Sequence, residues 1–274
     1  MYINCKGQLI DLSTPKVMGI INITPDSFFS GSRKNLEKEI LETAEKMLEE
    51  GATFLDIGAY SSRPGAEDIS EETELERIIP ALQLLIKEFP EALISADTFR
   101  SKVAERAINE GAALINDISA GLLDPDMLRI ISRMQVPYIM MHMKGTPQTM
   151  KDLNQYEDLA GDVIFYFSER INAARKAGIN DIILDPGFGF AKNIDQNYEL
   201  LSKLELFSNL ELPFLAGVSR KSMIWKRLKT TPEGALNGTT ILNTICLTKG
   251  ANILRVHDVK EAMECIKLTS ELSN

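Results

Sequence analysis

Eight short runs rich in Val, Ile and Leu recur along the chain, and most are followed by a stretch with helical spacing of its apolar residues. This alternation limits the possible folds more than any other feature. The runs cover 17–21, 53–57, 92–96, 113–116, 138–141, 182–184, 213–217 and 252–256. Most are apolar without alternation, as strands of a parallel sheet must be when helices cover both faces. Between them, Leu36, Ile40, Ala44, Met47 and Leu48 form one helical stripe, closed by Gly51. Leu75, Ile78, Ile79, Leu82, Leu85 and Ile86 form another, closed by Pro90. Residues 150–178 read as a loop followed by the longest helix. Asp124-Pro125 and Thr231-Pro232 each place a capping side chain before a proline suited to a first helical turn. Asp258 with Glu261 has the spacing of a capping box.

Eight strand–helix units with no linker predict one α/β domain over residues 1–274, a (β/α)8 TIM barrel. The chain's 274 residues match the length such barrels need. An open doubly wound sheet is the alternative. Ahead of the first unit, residues 2–4 and 9–11 flank Lys6-Gly7, predicting an N-terminal β-hairpin within residues 1–12 that closes the bottom of the barrel.

Charge and cysteine usage narrow the function. Thirty basic against 39 acidic residues give a formal charge of −9, which disfavours a nucleic-acid or anionic-membrane surface. A small anionic ligand, needing only a few local cations, remains compatible. No apolar run reaches the ~18 residues of a membrane span, and the first residues do not read as a secretory signal. Cys5, Cys246 and Cys265 are too far apart for a metal-binding pair and read as buried thiols of a reducing, cytoplasmic setting.

In a barrel, chemistry gathers where the strands end. At or just past the ends of the eight runs stand Asn22, Asp56, Asp97, Asn116 with Asp117, His142, Asp185, Ser219-Arg220-Lys221, and Arg255 with His257. A polar side chain at every strand end predicts a polar site at one mouth. Asp97, Asn116 and Asp185 suit a flat heterocycle with several N–H groups, since a carboxylate accepts two hydrogen bonds side by side. Lys221 offers donors to a ring carbonyl or nitrogen. Arg63, Arg255 and His257 offer positive charge to a phosphate or carboxylate. Two histidines are too few for a triple-histidine zinc site. Gly187-Phe188-Gly189 lacks the third glycine of a dinucleotide fingerprint. Two long segments, 22–34 and 59–69, read as loops able to close over the site.

Seven segments in order, MGIINITPDSF (18–28), DIGAYSSRPGA (56–66), ADTFRSKVAERAINEGAALINDISAG (96–121), MHMKGTP (141–147), LDPGFGFAK (184–192), AGVSRKSMI (216–224) and RVHDV (255–259), resemble the dihydropteroate synthase family. The resemblance implies condensation of 6-hydroxymethyl-7,8-dihydropterin diphosphate with p-aminobenzoate in folate biosynthesis. It also implies Mg²⁺, a homodimer and membership of an enzyme class that sulfonamides target. By matched position, Asp97, Asn116, Asp185 and Lys221 would hold the pterin, with Arg255 on its face and Ile118, Met141, Phe190 and Gly217 lining the slot. Asn22, Arg63 and His257 would hold the diphosphate, Asn22 also meeting Mg²⁺. Phe28, Ser62, Arg63, Pro64 and Ser222 would shape the p-aminobenzoate pocket. Arg63, Asp185, Lys221 and His257 are the expected catalytic residues.

The sequence departs from the family at two places. Ala59-Tyr60-Ser61-Ser62 stands for the usual Gly-Glu-Ser-Thr, which removes a carboxylate, and Phe29-Ser30-Gly31 stands where Ser-Asp-Gly is common. A methyltransferase barrel that binds pterin, and a pterin-binding regulator without catalysis, are the competing readings. SRPGA and SRKS favour the synthase over the first. Asn22, Arg63, Lys221 and His257 together argue against the second.

Overall fold

The computed structural model describes residues 1–23, 33–61 and 68–272. Its eight parallel strands are β3 (Lys16–Asn22), β4 (Phe54–Gly58), β5 (Leu93–Asp97), β6 (Leu114–Asp117), β7 (Tyr138–Met141), β8 (Ile182–Asp185), β9 (Leu215–Ala216) and β10 (Ile253–Val256). They hydrogen-bond in the order β8-β7-β6-β5-β4-β3-β10-β9. A parallel bridge between Leu184 and Phe214 brings β8 back against the start of β9 and nearly closes the ring. The result is the (β/α)8 barrel, and each observed strand lies within two residues of its apolar run.

The helices are α1 (Arg33–Glu49), α2 (Glu71–Glu88), α3 (Ser101–Asn109), α4 (Met127–Met134), α5 (Leu159–Ala177), α6 (Ile194–Ser202), α7 (Ser222–Trp225), α8 (Leu236–Thr248) and α9 (Val259–Ser270). The α2 stripe buries Ile78, Ile79, Leu82 and Leu85, and Ser70 caps its first turn by accepting from the Thr73 N–H. The main core lies between these helices and the outward faces of the strands. It includes Val17, Leu55, Ile94, Ile115, Met140, Leu184, Ala216 and Leu254.

A second apolar cluster fills the barrel's interior. Met18, Phe54, Leu93, Leu114, Ile139, Ile183, Leu215 and Ile253 meet there, one residue from each of the eight strands. Ile3, Cys5 and Leu12 join them from the N-terminal hairpin, β1 (Tyr2–Cys5) with β2 (Gln8–Asp11). Lys6 and Gly7 both have positive φ, +52° and +83°, the combination a two-residue hairpin turn demands. The hairpin therefore seals the bottom, and polar chemistry is confined to the opposite end.

Two expected helix starts differ. The carboxylate of Asp258 does not cap α9, because Arg220 takes both its oxygens at 2.7 and 2.9 Å. Asp124 stands ahead of α4 rather than at its cap. It accepts from the Asp126 N–H at 3.0 Å and from the Ser101 N–H opening α3 at 2.7 Å. A capping box does form at Asn193 and Gln196, where α6 begins.

Candidate active site

Several strand ends converge around one side chain. Arg255, at the end of β10, is that side chain: its Nε donates to Asp56 Oδ2 at 2.6 Å and an Nη to Asp97 Oδ2 at 2.7 Å. Asn116 Nδ2 also donates to Asp56 Oδ2, at 3.1 Å. This leaves the Asn116 amide oxygen and its second N–H as the groups it can offer a ligand. Asp56 is fully buried, and among the described residues its Oδ1 has no hydrogen-bond partner. Asp97 and Arg255 keep 22% and 19% side-chain exposure, so both stay partly accessible.

Asp185 and Lys221 occupy the β8 and β9 side. Asp185 Oδ1 accepts from the Gly187 N–H at 2.8 Å, and Lys221 Nζ donates to the Phe188 carbonyl. Gly217 sits between the two sides: a Cβ there would stand 3.8 Å from Lys221 Nζ and 4.0 Å from Arg255 Cβ. Ile118, Met141, Met143, Met150 and Ala191 form a separate buried apolar cluster, with Phe99, Leu123 and Phe190 packed on it. Lys221 Nζ lies 5.0 Å from the Phe190 ring centroid. A charged floor thus meets an apolar wall, the arrangement a flat polar heterocycle needs.

The pKa shifts follow from this crowding. Burial pushes Asp97 up to about 7 against the pull of Arg255, with Asp56, Glu74 and Asp117 adding to the rise. Burial also raises Asp185, opposed first by Lys221 and then by the Gly187 N–H. Lys221 is pushed down to about 8 by burial, with Asp185 pulling the other way. Burial opposes the Arg255 charge, but Asp56 and Asp97 more than offset it and keep the guanidinium protonated.

Other strand-end residues have structural work. Asp117 accepts from Ser119, Gly121 and Tyr138 and so shapes the β6–α4 loop. His142 is buried, edge-on to Tyr166 at 4.8 Å, with its Nδ1 2.9 Å from Lys192 Nζ. Ser219 Oγ lies 3.0 Å from His257 Nδ1 and accepts from the His257 main-chain N–H at 3.2 Å. With the Arg220–Asp258 pair, this fixes the β9 and β10 loops to each other. Ser222 opens α7 directly after Lys221, and Asn22 ends β3 opposite Gly58. Phe28, Ser62, Arg63 and Pro64 lie outside the described residues.

Around the departure at Tyr60 the structure supplies a contact network that the sequence did not reveal. Tyr60 stands edge-on to Phe99 at 5.0 Å, its hydroxyl accepts from Gln148 Nε2 at 2.8 Å, and the Arg100 guanidinium lies 5.3 Å from its ring. Arg100 in turn donates to the buried Glu74 and to the Ile69 carbonyl, each at 2.6 Å. Nothing in the sequence singles out Lys192 or Asp56 either: the first has no local pattern to mark it as buried, and the second is one polar strand end among many.

The family described as "Pterin binding enzyme" matches residues 18–257. The chain is 42% identical over 270 residues to the dihydropteroate synthase of Escherichia coli strain K12, covering 98% of this chain and 95% of that one. It is 40% identical to the Haemophilus influenzae dihydropteroate synthase, with both chains covered in full. A Yersinia pestis dihydropteroate synthase solved with a sulfonamide drug superposes with a TM-score of 0.93 at 40% identity, covering 100% of this chain and 99% of that one. A Xanthomonas albilineans dihydropteroate synthase in complex with 7,8-dihydropteroate gives 0.89 at 33%, with the same coverage. The chain belongs to the pterin-binding enzyme family, and within it to the dihydropteroate synthases, the transferases of folate biosynthesis.

Proposed function

We propose that a hollow at these strand ends binds 6-hydroxymethyl-7,8-dihydropterin diphosphate with its ring on the floor and its diphosphate toward the rim, where p-aminobenzoate replaces the diphosphate. The convergence of Asp97, Asn116, Asp185 and Lys221 around Arg255 carries this reading. Asp97 and Asp185 accept the ring N–H groups, Asn116 completes that edge, and Lys221 donates to the ring carbonyl or nitrogen. Arg255, held flat by two carboxylates, covers one face, while Ile118, Met141, Phe190 and Gly217 line the slot.

The reaction breaks the pterin CH2–O bond, and its electron pair leaves with the diphosphate. The arylamine nitrogen of p-aminobenzoate then forms the C–N bond and loses a proton. An arylamine is unprotonated near neutral pH, so no strong base is required. Leaving-group charge is the main barrier, and His257 and Arg63 are assigned to neutralise it. Asp185 and Asp97 would favour positive charge developing on the ring. Phe28, Ser62, Pro64 and Ser222 are assigned to the p-aminobenzoate pocket.

Asn22 fits a Mg²⁺ that arrives with the diphosphate. It offers a hard amide oxygen at the rim, and Mg²⁺ is usually held by one or two protein oxygens plus substrate phosphates. When bound, the ion would offset charge on the leaving diphosphate. A cytoplasmic location is favoured by three cysteines that are all free and buried. A homodimer is favoured by Leu228, Ile241 and Leu268, large apolar side chains exposed in the α7–α9 region. Sedimentation at the mass of a single 30.5 kDa chain would contradict it.

The direct test mixes the protein with the pterin diphosphate, p-aminobenzoate and Mg²⁺. One dihydropteroate per diphosphate released is the expected outcome, and diphosphate release without dihydropteroate would contradict it.

A further inference from the structure

Lys192 is a buried lysine, 9% exposed, to which neither the reaction nor the family resemblance gives a task. All three of its N–H donors have acceptors: His142 Nδ1 at 2.9 Å, the Gly187 carbonyl at 3.0 Å and the Phe190 carbonyl at 3.1 Å. His142 can accept because burial, with Lys192 and Lys144 nearby, pushes its pKa well below the ordinary histidine range and keeps the ring neutral. The two carbonyls bound by Lys192 begin and end the turn 187–190. That turn gives its Gly187 N–H to Asp185, its Phe188 carbonyl to Lys221 and its Phe190 ring to the apolar wall.

We propose that Lys192 is a positioning residue of the pterin slot, tying the 187–190 turn from behind and adding a second ammonium, besides Lys221, to the neighbourhood of Asp185. The cost of burying a cation argues that it is not filler. Burial pushes Lys192 down to about 7, against the attraction of Asp185, with Lys221 and Lys144 lowering it further. An apolar side chain of the same length would fill the space without that cost. What it could not do is hold two backbone carbonyls and an imidazole at once. Asp185 feels Lys221, Arg255 and Lys192 as charges, whereas the charges acting on Asp97 are led by Arg255, Asp56, Glu74 and Asp117. Removing Lys192 therefore perturbs one carboxylate of the floor and spares the other.

The test compares the full-length protein with Lys192→Met, reading three quantities. Pterin affinity by calorimetry is expected to fall at least tenfold, while KM for p-aminobenzoate changes less than twofold. In carboxyl ¹³C NMR, with resonances assigned through Asp185→Asn and Asp97→Asn, the Asp185 midpoint is expected to move up while that of Asp97 stays in place. Unchanged pterin affinity, or equal losses for both substrates with an unmoved Asp185 midpoint, would overturn the proposal. If Lys192→Met does not fold, Lys192→Gln, which keeps two donors without the charge, is read by the same criteria. The inference rests on Asp185 gripping the pterin, and the Asp185→Asn protein separates the two ideas. If that variant binds pterin normally, the site reading fails; if it does not but Lys192→Met does, only the role of Lys192 fails.

Discussion

At the residue scale, the site works by making ionisation expensive and then compensating it selectively. Lys221 shows the consequence most clearly. Burial brings its pKa to about 8, so its ammonium is lost as pH rises through that value. A ligand that accepts from Lys221 should bind more weakly at pH 9.5 than at pH 7. The effect on stability has the opposite sign: between about 8 and 10.5 the folded lysine holds fewer protons than the unfolded one, so this group makes stability rise with pH. Lost binding over that interval therefore cannot be attributed to this lysine unfolding the chain. Calorimetric titration of a pterin at both pH values checks this, with Lys221→Met expected to make the alkaline fall smaller than in the unmodified protein, leaving the part due to Lys192. Affinity that stays level in the unmodified protein would contradict the assigned role. The polar residue types at the strand ends were readable from sequence because a barrel puts every strand end at one mouth. Their division of labour was not. Asp117 and His142 look like Asp97 and Asp185 in sequence, yet hydrogen bonds to Ser119, Tyr138 and Lys192 commit them to structure.

At the scale of elements, the β8–α6 turn is the most constrained piece of the site. Gly187 has φ +71°, and a Cβ there would come within 2.1 Å of the His142 carbonyl oxygen, a fixed backbone atom. Gly187→Ala must shift the turn, taking the Gly187 N–H from Asp185 and the Phe188 carbonyl from Lys221. Pterin affinity should fall at least tenfold and the protein should lose about 1–3 kcal/mol. Calorimetry and thermal unfolding measure both, and an alanine variant with normal affinity would show that the turn tolerates displacement. Strands were legible because their two-sided burial writes continuous apolar runs into the sequence. Helix starts were less so. Asp258 and Glu261 have capping-box spacing, but Arg220, 38 residues away, claims the Asp258 carboxylate. Asn193 and Gln196 do form a box, on a purely local signal that was there to be read.

At the scale of the whole molecule, stability and chemistry sit at opposite ends of the barrel. Leu12 is fully buried in the bottom cluster with Ile3 and Cys5, far along the strands from Asp97 and Asp185. Leu12→Ala should cost about 2–5 kcal/mol in unfolding free energy while leaving kcat and pterin affinity nearly unchanged. Denaturant unfolding and steady-state kinetics together check it, and a matching loss of activity in the folded variant would mean that the two ends are coupled. The bottom hairpin was legible because Lys6-Gly7 is a turn signal between two short strand-like segments. The rim was only partly so, because Phe28, Ser62, Arg63 and Pro64 are assigned to it by the family resemblance, and no local pattern encodes a substrate contact. The floor of the hollow is the central claim, and a crystal structure of the protein with a bound pterin tests it most directly. The ring should lie under Arg255, with its N–H edge on Asp97, Asn116 and Asp185 and its carbonyl side toward Lys221. A pterin bound elsewhere, with those four side chains making no contact to it, would contradict the assignment.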